Sequence, residues 1–230
     1  MQSSLTDNSG LKHAKTHCRQ SSKGPLVMIV DDDAAVREAL EELMHSAGLE
    51  AACFETTRDL LDASVLGRPG CIILDVRMPG ASGLDFQKEL TNGDTPKPVI
   101  FLTGHGDIPM TVQAMKAGAL DFLTKPVRDQ TILDAVKAGI DCDISQRAKA
   151  EIVRRNVERV ETLTPRERQV LKEVAMGRLN KQIAYDLGIS EVTVKLHRSN
   201  VMRKMAAVSV GQLIRAWETL PTTIREQSLV

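Results

Sequence analysis

A ten-residue stretch, Cys71-Ile72-Ile73-Leu74-Asp75-Val76-Arg77-Met78-Pro79-Gly80, sets the terms for the fold. Four residues of little polarity run straight into a lone carboxylate, and Met-Pro-Gly then ends any strand. A continuous apolar run bounded by turn signals is the pattern of a strand buried on both faces of a parallel sheet. Asp75 then stands at the carboxyl edge of that strand, where open α/β sheets place their ligands. Carboxylates are rarely buried unless paired or metal-bound, so an acid at that edge points to chemistry rather than to packing.

The pattern recurs along the chain. Leu26–Val30 runs into Asp31-Asp32-Asp33, Pro98–Leu102 into Thr103-Gly104-His105-Gly106, and Asp121–Leu123 into Thr124-Lys125-Pro126, with a shorter strand at Glu50–Phe54. Helical spacing fills the intervals: Val36, Leu40, Leu43 and Met44, then 56–65, 82–91 and 109–117, and last Ile132, Leu133, Val136 and Ile140. Five strands alternating with five helices predict a (βα)5 α/β domain, a doubly wound parallel sheet with helices on both faces. Asp31, Asp32, Asp75, Thr103 and Lys125 then share one edge of that sheet.

Three carboxylates that converge within a few ångströms need a cation to stay ionised together. Oxygen ligands with room for water suit Mg²⁺, which binds through a few carboxylates and a phosphate. In that setting Asp75 is a nucleophile toward a phosphoryl group, with Lys125 and the Thr103 hydroxyl holding the transferred oxygens. Lys125 also has a simpler role, as the ion-pair partner of unmodified Asp75. Asp33 reads as a helix N-cap and His105 as a solvent-facing loop residue.

The net charge of zero hides a split. Residues 26–145 carry 20 acidic and 10 basic side chains, whereas residues 146–230 carry 16 basic and 9 acidic ones. An acidic half joined to a basic half suggests two domains with different partners, the basic one suited to phosphate backbones. No apolar run is long enough to span a bilayer, and residues 1–24, polar and aperiodic, read as a disordered tail without a secretory signal, so the expected setting is the cytoplasm. His13, His17 and Cys18 lack a fourth ligand at zinc spacing, and the four cysteines form no disulfide framework. The divisions that follow are a tail at 1–24, an α/β domain at 25–142, a helical linker at 143–160 and a helical domain at 161–225.

The linker carries Ile152, Val153, Val157 and Val160 at helical spacing and allows continuity with the helix before it. Beyond it, Thr164-Pro165-Arg166-Glu167 is a capping box with proline at the first helical position. A short second helix at 180–187 meets Gly188, and Ser190 caps a third helix rich in Lys, Arg and His; a fourth covers 210–219. Two short helices, a glycine turn and a basic third helix describe a helix-turn-helix in an all-α four-helix domain. On the third helix Lys195, Ser199 and Met202 fall on one face, flanked by Leu196, Arg203 and Lys204, while Val192 and Val201 read as core.

Residues 26–142 resemble the receiver domain of two-component response regulators, through Val30–Asp33, Leu74–Gly80, Thr103–His105 and Asp121–Pro126. Residues 161–225 resemble the LuxR-type helix-turn-helix through Thr164–Glu167, Asn180–Ala184 and Ile189–Arg198, and the two halves together are similar to NarL/FixJ-type regulators. The resemblance implies Asp75 as phosphoacceptor, and Mg²⁺ held by Asp31, Asp32, Asp75 and the main-chain carbonyl of Arg77. It also implies Thr103 and Lys125 as phosphoryl contacts and Phe122 as the aromatic switch, here lacking the hydroxyl of Tyr. On the DNA side it implies Lys195, Leu196 and Ser199 at base edges, with Lys181, Thr193, Arg198, Arg203 and Lys204 on phosphates. The implied partners are a sensor histidine kinase, double-stranded promoter DNA, a second copy on phosphorylation, and RNA polymerase as a further candidate; no enzyme activity is implied beyond self-phosphorylation and aspartyl-phosphate hydrolysis. Haloacid-dehalogenase-like phosphatases also place an Asp after an apolar strand, but they require a second Asp where Arg77 stands. A receiver whose basic half binds protein or RNA, and a regulator indifferent to phosphate, are the other readings.

Overall fold

The computed structural model describes residues 24–78, 83–92, 96–104 and 106–227. The tail at 1–23, Pro79, Gly80 and His105 lie outside the described residues, and with them the expectations placed there. Five strands, β1 (Leu26–Val30), β2 (Glu50–Phe54), β3 (Gly70–Leu74), β4 (Val99–Thr103) and β5 (Asp121–Thr124), form one sheet in the order β2-β1-β3-β4-β5. All pairings are parallel. Helices α1 (Ala34–Ser46), α2 (Thr57–Asp62), α3 (Gly83–Asn92) and α4 (Ile108–Lys116) follow β1 to β4 in turn, and α5 (Asp129–Glu161) follows β5.

The period-two alternation of the strands divides their side chains between two layers. Leu26, Met28, Val30, Ile72 and Leu74 face Leu60 of α2, Leu84 and Phe86 of α3 and Ala114 of α4. Val27, Ile29, Cys71 and Ile73 face Leu40 and Met44 of α1 and Val136 and Ile140 of α5. Burial in that second layer pushes the Cys71 thiol up to about 12, so the thiolate that carries cysteine chemistry is scarce at neutral pH. Helix α2 is shorter than expected: Ser64 adopts a left-handed φ of 53°, and Val65 and Leu66 pack on the core from the loop.

Helix α5 is one element of 33 residues, so the linker is its continuation rather than a separate piece. No glycine or proline interrupts residues 140–161, which leaves nothing local to stop the helix. A buried charge cluster fastens it to the amino edge of the sheet. Asp143 accepts from the Gly70 N–H at 2.8 Å and from Lys97 Nζ at 2.9 Å, and Arg147 Nε adds a further bond at 2.8 Å. Arg147 also donates to the carbonyls of Leu66, Gly67 and Arg68, and Lys97 donates to that of Arg68. Burial pushes the Lys97 ammonium down while Asp143 pulls against it.

The carboxyl-terminal core is built from α6 (Pro165–Ala175), α7 (Asn180–Leu187), α8 (Glu191–Lys204) and α9 (Val210–Glu218). Val170, Leu171, Val174, Ile183, Val194, Val201, Leu213 and Trp217 fill it, and Val160 from the end of α5 is buried among them. Asn156 of α5 donates to Thr219 Oγ1 at 2.9 Å. The end of α5 therefore belongs to this core, upstream of the boundary expected at 161. A fifth short helix, α10 (Thr222–Gln227), adds to the four expected; it carries one apolar anchor, Ile224, and no periodic stripe.

Candidate functional site

Parallel strands that end together bring their following residues to one edge, and the acidic site is built that way. Asp31 follows β1 and is buried; its Oδ1 accepts from the Asp33 N–H at 3.0 Å and its main-chain oxygen from Arg37 Nη1 at 2.6 Å. Asp33 caps α1 by accepting from the Ala35 N–H, as expected. Asp75 follows β3, where its N–H donates to the Val30 carbonyl at 3.0 Å, so the ladder between β1 and β3 continues into the site. Asp31, Asp32 and Asp75 each present a carboxylate oxygen within 4.8 Å of the others. Asp32 is exposed and Asp75 half-buried, so the cluster opens to solvent on one side.

Lys125 reaches in from the end of β5. Its Nζ lies 2.6 Å from Asp31 Oδ2 and 3.6 Å from Asp75 Oδ2, so Asp31, not Asp75, is its closer partner. Its main-chain N–H donates to the Thr103 carbonyl at 2.9 Å, which fixes its position beside β4. Thr103 is buried at the end of β4, opposite Thr124 in register. Three carboxylates and one ammonium leave a formal charge of −2, and an all-oxygen donor set of that charge fits a hard divalent cation. The Arg77 side chain is exposed, and its N–H donates to Asp75 Oδ1 at 3.2 Å.

Two glycines serve this edge in ways that no motif signals. A Cβ on Gly83 would stand 2.6 Å from the main-chain oxygen of Asp75, so only glycine lets α3 begin against the site. A Cβ on Gly106 would stand 2.9 Å from the Phe122 ring and 2.8 Å from Thr124 Cγ2. Phe122 lies against Phe101 with ring centroids 5.9 Å apart and a 44° tilt. The expected switch aromatic is thus packed between the core and the loop that follows β4.

The second site is the outer face of α8. Ser190 accepts from the Thr193 N–H and caps the helix, and Gly188 takes the left-handed φ of 63° that the turn needs. Lys195, Leu196, Ser199 and Arg203 are exposed on α8, as is Lys181 on α7. Thr193 is half-buried with its hydroxyl 2.9 Å from Ser190 Oγ, and Arg198 donates to Asn180 Oδ1 at 2.9 Å, tying α8 to α7.

Two expectations are corrected. Val192, read as core, is 76% exposed: two residues before buried Val194 is about 200° around the helix, which puts it on the opposite face. Met202, read as surface, packs against the core. Lys204, expected at a phosphate, is half-buried in the DNA-free chain, with its Nζ 2.6 Å from Glu167 Oε2 and 3.1 Å from the Thr162 carbonyl.

Comparison with known proteins places these sites in a family. Residues 27–137 match the response regulator receiver domain, and residues 161–217 match the bacterial regulatory proteins of the luxR family. The chain is 48% identical over 204 residues to nodulation protein W of Bradyrhizobium diazoefficiens, covering 89% of each. It is 46% identical over 215 residues to the response regulator protein TodT of Pseudomonas putida, covering 94% of this chain and 92% of that one. It is also 47% identical over 189 residues to the transcriptional regulatory protein FixJ of Azorhizobium caulinodans, covering 82% and 90%. Among solved structures, the response regulator StyR matches with a TM-score of 0.74 and 44% identity over 85% of this chain and 99% of that chain. A strand-edge acidic cluster at one end, a capped basic helix on a glycine turn at the other, and relatives that span both identify the chain as a member of the two-component response regulators that join a receiver domain to a luxR-family DNA-binding domain.

Proposed function

We propose that Asp75 accepts a phosphoryl group and that its modification controls how α8 engages duplex DNA. The observation that carries the reading is the convergence of Asp31, Asp32 and Asp75 within 4.8 Å beside the Lys125 ammonium. Asp31 and Asp32, with Asp75 and the Arg77 carbonyl, would hold Mg²⁺, which when bound supplies positive charge to the oxygens of the group in transfer. Asp75 is aimed by its main-chain bond to Val30 and attacks phosphorus through a carboxylate oxygen; the bond between phosphorus and the donor's leaving atom breaks as the new one forms. Lys125 stands between Asp31 and Asp75 to meet the new phosphoryl oxygens, and Thr103 offers its hydroxyl from the end of β4.

The donor would be a sensor histidine kinase, approaching over the groove that Val36, Ala39 and Leu43 of α1 form with Val127 and Lys125. Added charge at Asp75 would draw Thr103 and repack Phe122, a local electrostatic change biasing a two-state element. Output would be a homodimer reading two half-sites of promoter DNA, with Val192, Lys195, Leu196 and Ser199 toward base edges and Lys181, Arg198 and Arg203 toward phosphates. RNA polymerase would be the next partner. No helix of the described residues is long and apolar enough to cross a membrane, and a DNA target implies a cytoplasmic setting.

The test combines intact mass with light scattering after incubation with Mg²⁺ and a small phosphodonor such as acetyl phosphate. Wild type should gain one phosphoryl group and shift toward dimer. Asp75→Asn should do neither, and Asp32→Ala should need far more Mg²⁺. Equal phosphorylation of Asp75→Asn would remove Asp75 from the role.

A further inference from the structure

Three helix termini meet at one partly buried ion pair. Lys204 ends α8, Glu167 lies in the first turn of α6, and Thr162 is the carboxyl-terminal cap of α5. Glu167 is 4% exposed. One of its oxygens takes Lys204 Nζ at 2.6 Å and the Thr164 N–H at 2.9 Å. Lys204 gives a second donor to the Thr162 carbonyl at 3.1 Å. Each charge sits where a helix dipole favours it, the carboxylate at an amino terminus and the ammonium at two carboxyl termini. Burial alone pushes the Glu167 carboxyl up, yet Lys204 and the Thr164 N–H outweigh it and hold the group below the ordinary value.

The outer face of α8 lies away from this pair, so Lys204 is poorly placed to reach DNA while it is made. The pair ties the end of α8 to α6, and the bond from Lys204 to Thr162 ties it to the cap of α5, the same helix that is packed into the receiver core. Elsewhere along its length α8 is held by Arg198 on Asn180. We propose that Glu167 and Lys204 are positioning residues for sequence discrimination: they set the tilt of α8 relative to α5 without touching DNA. The inference rests on α8 being the reading helix, and it assigns Lys204 a role opposite to that of a phosphate contact.

The two roles differ in salt dependence. Each phosphate neutralised adds about 0.9 to the steepness with which log affinity falls against log salt. In the full chain, Lys204→Met should leave that steepness unchanged while lowering, by about tenfold, the preference for a duplex selected from a random pool by wild type over a scrambled one. Arg203→Gln, on the exposed face, should lower the steepness by about 0.9 and weaken both duplexes alike. Should Lys204→Met instead lower the steepness and weaken both duplexes equally, Lys204 contacts phosphate and the proposal falls.

Amide hydrogen exchange in DNA-free protein supplies an arm that does not depend on DNA. Lys204→Met and Glu167→Gln should both speed exchange in the last turn of α8, with the receiver strands unaltered. Unchanged exchange there overturns the tie whatever the binding assay gives. A wild-type protein that selects no duplex would sink the DNA reading instead, and the exchange result would still decide the tie.

Discussion

At the scale of single residues, burial and partner decide what each charge contributes. Glu167 shows this most clearly, because burial acts against its ionised form and Lys204 with the Thr164 N–H acts for it, and the second influence wins. A carboxyl held below its ordinary value in the folded state stabilises the fold above about pH 4.5 and loses that contribution as pH falls through the folded value. Unfolding of the carboxyl-terminal domain, followed through Trp217, the chain's one tryptophan and part of that core, should therefore become easier on acidification below about pH 5. Glu167→Gln should flatten that acid limb and cost about 1–2 kcal/mol at neutral pH, less than the roughly 3–5 kcal/mol of a wholly buried pair, because Lys204 keeps 23% of its side chain in solvent. An acid limb unchanged in the variant would mean that the pair is not formed in solution. The same weighing explains which site residues are legible in the chain alone. Asp31, Asp32, Asp75 and Lys125 each follow an apolar strand, so the strand pattern by itself places them together. Lys204 carries no such signal: its partner is 37 residues distant, and a lysine near the end of a basic helix looks like its neighbour Arg203. Val192 departs from expectation for a different reason, since its apolar side chain suggests core while its angle from Val194 turns it to solvent.

At the scale of elements, close approaches matter more than propensity. Gly139 lies in α5 where the helix crosses β3, and a Cβ there would stand 2.8 Å from Cys71 Cβ. Alanine would gain about 1 kcal/mol of helix propensity, but overpacking a filled core costs about 1–3 kcal/mol. Gly139→Ala is therefore expected to destabilise the receiver by a net of about 1 kcal/mol and lower its urea midpoint. Gly211, in the first turn of α9, is the contrast: an added Cβ would meet only Arg215 and Ser209 side-chain atoms at 3.8 and 3.9 Å, so Gly211→Ala should stabilise by up to about 1 kcal/mol. Far-UV circular dichroism against urea reads both, and a stabilised Gly139→Ala would show that α5 can lift from the sheet at little cost. The strands are legible to within about a residue because each is an apolar run cut off by a polar one. Helix ends are less legible where a tertiary contact sets them. Helix α2 stops at Asp62 so that Val65 and Leu66 can pack from the loop, and α10 forms on a polar segment whose one apolar anchor is Ile224.

At the scale of the whole molecule, α5 is the feature that joins the receiver core to the carboxyl-terminal core. Its first half is held by Val136, Ile140 and the Asp143 cluster, and its end by Asn156 and Val160. At 1.5 Å per residue its 33 residues span about 50 Å. Between Arg147 and Asn156 the helix is exposed or half-buried. Its side-chain ion pairs in that stretch, Arg154 with Glu151 and Glu158 and Arg155 with Glu151, lie within the helix itself. Such pairs contribute only about 0.3–0.5 kcal/mol each, so helix propensity supplies most of the stretch's stiffness, through residues such as Ala148, Lys149 and Ala150. If α5 transmits a change at Asp75 as a rod, softening this stretch should uncouple the two ends without harming either. Ala148→Gly with Ala150→Gly would cost about 2 kcal/mol of helix stability there, and it touches neither core. Phosphoryl uptake at Asp75 should match wild type, and binding to a selected duplex without phosphodonor should change little. The gain in affinity on phosphorylation should then fall several-fold. An undiminished gain would mean that coupling runs through receiver dimerisation alone, with α5 a tether of no particular stiffness; loss of phosphoryl uptake would mean that the middle of α5 supports the receiver itself.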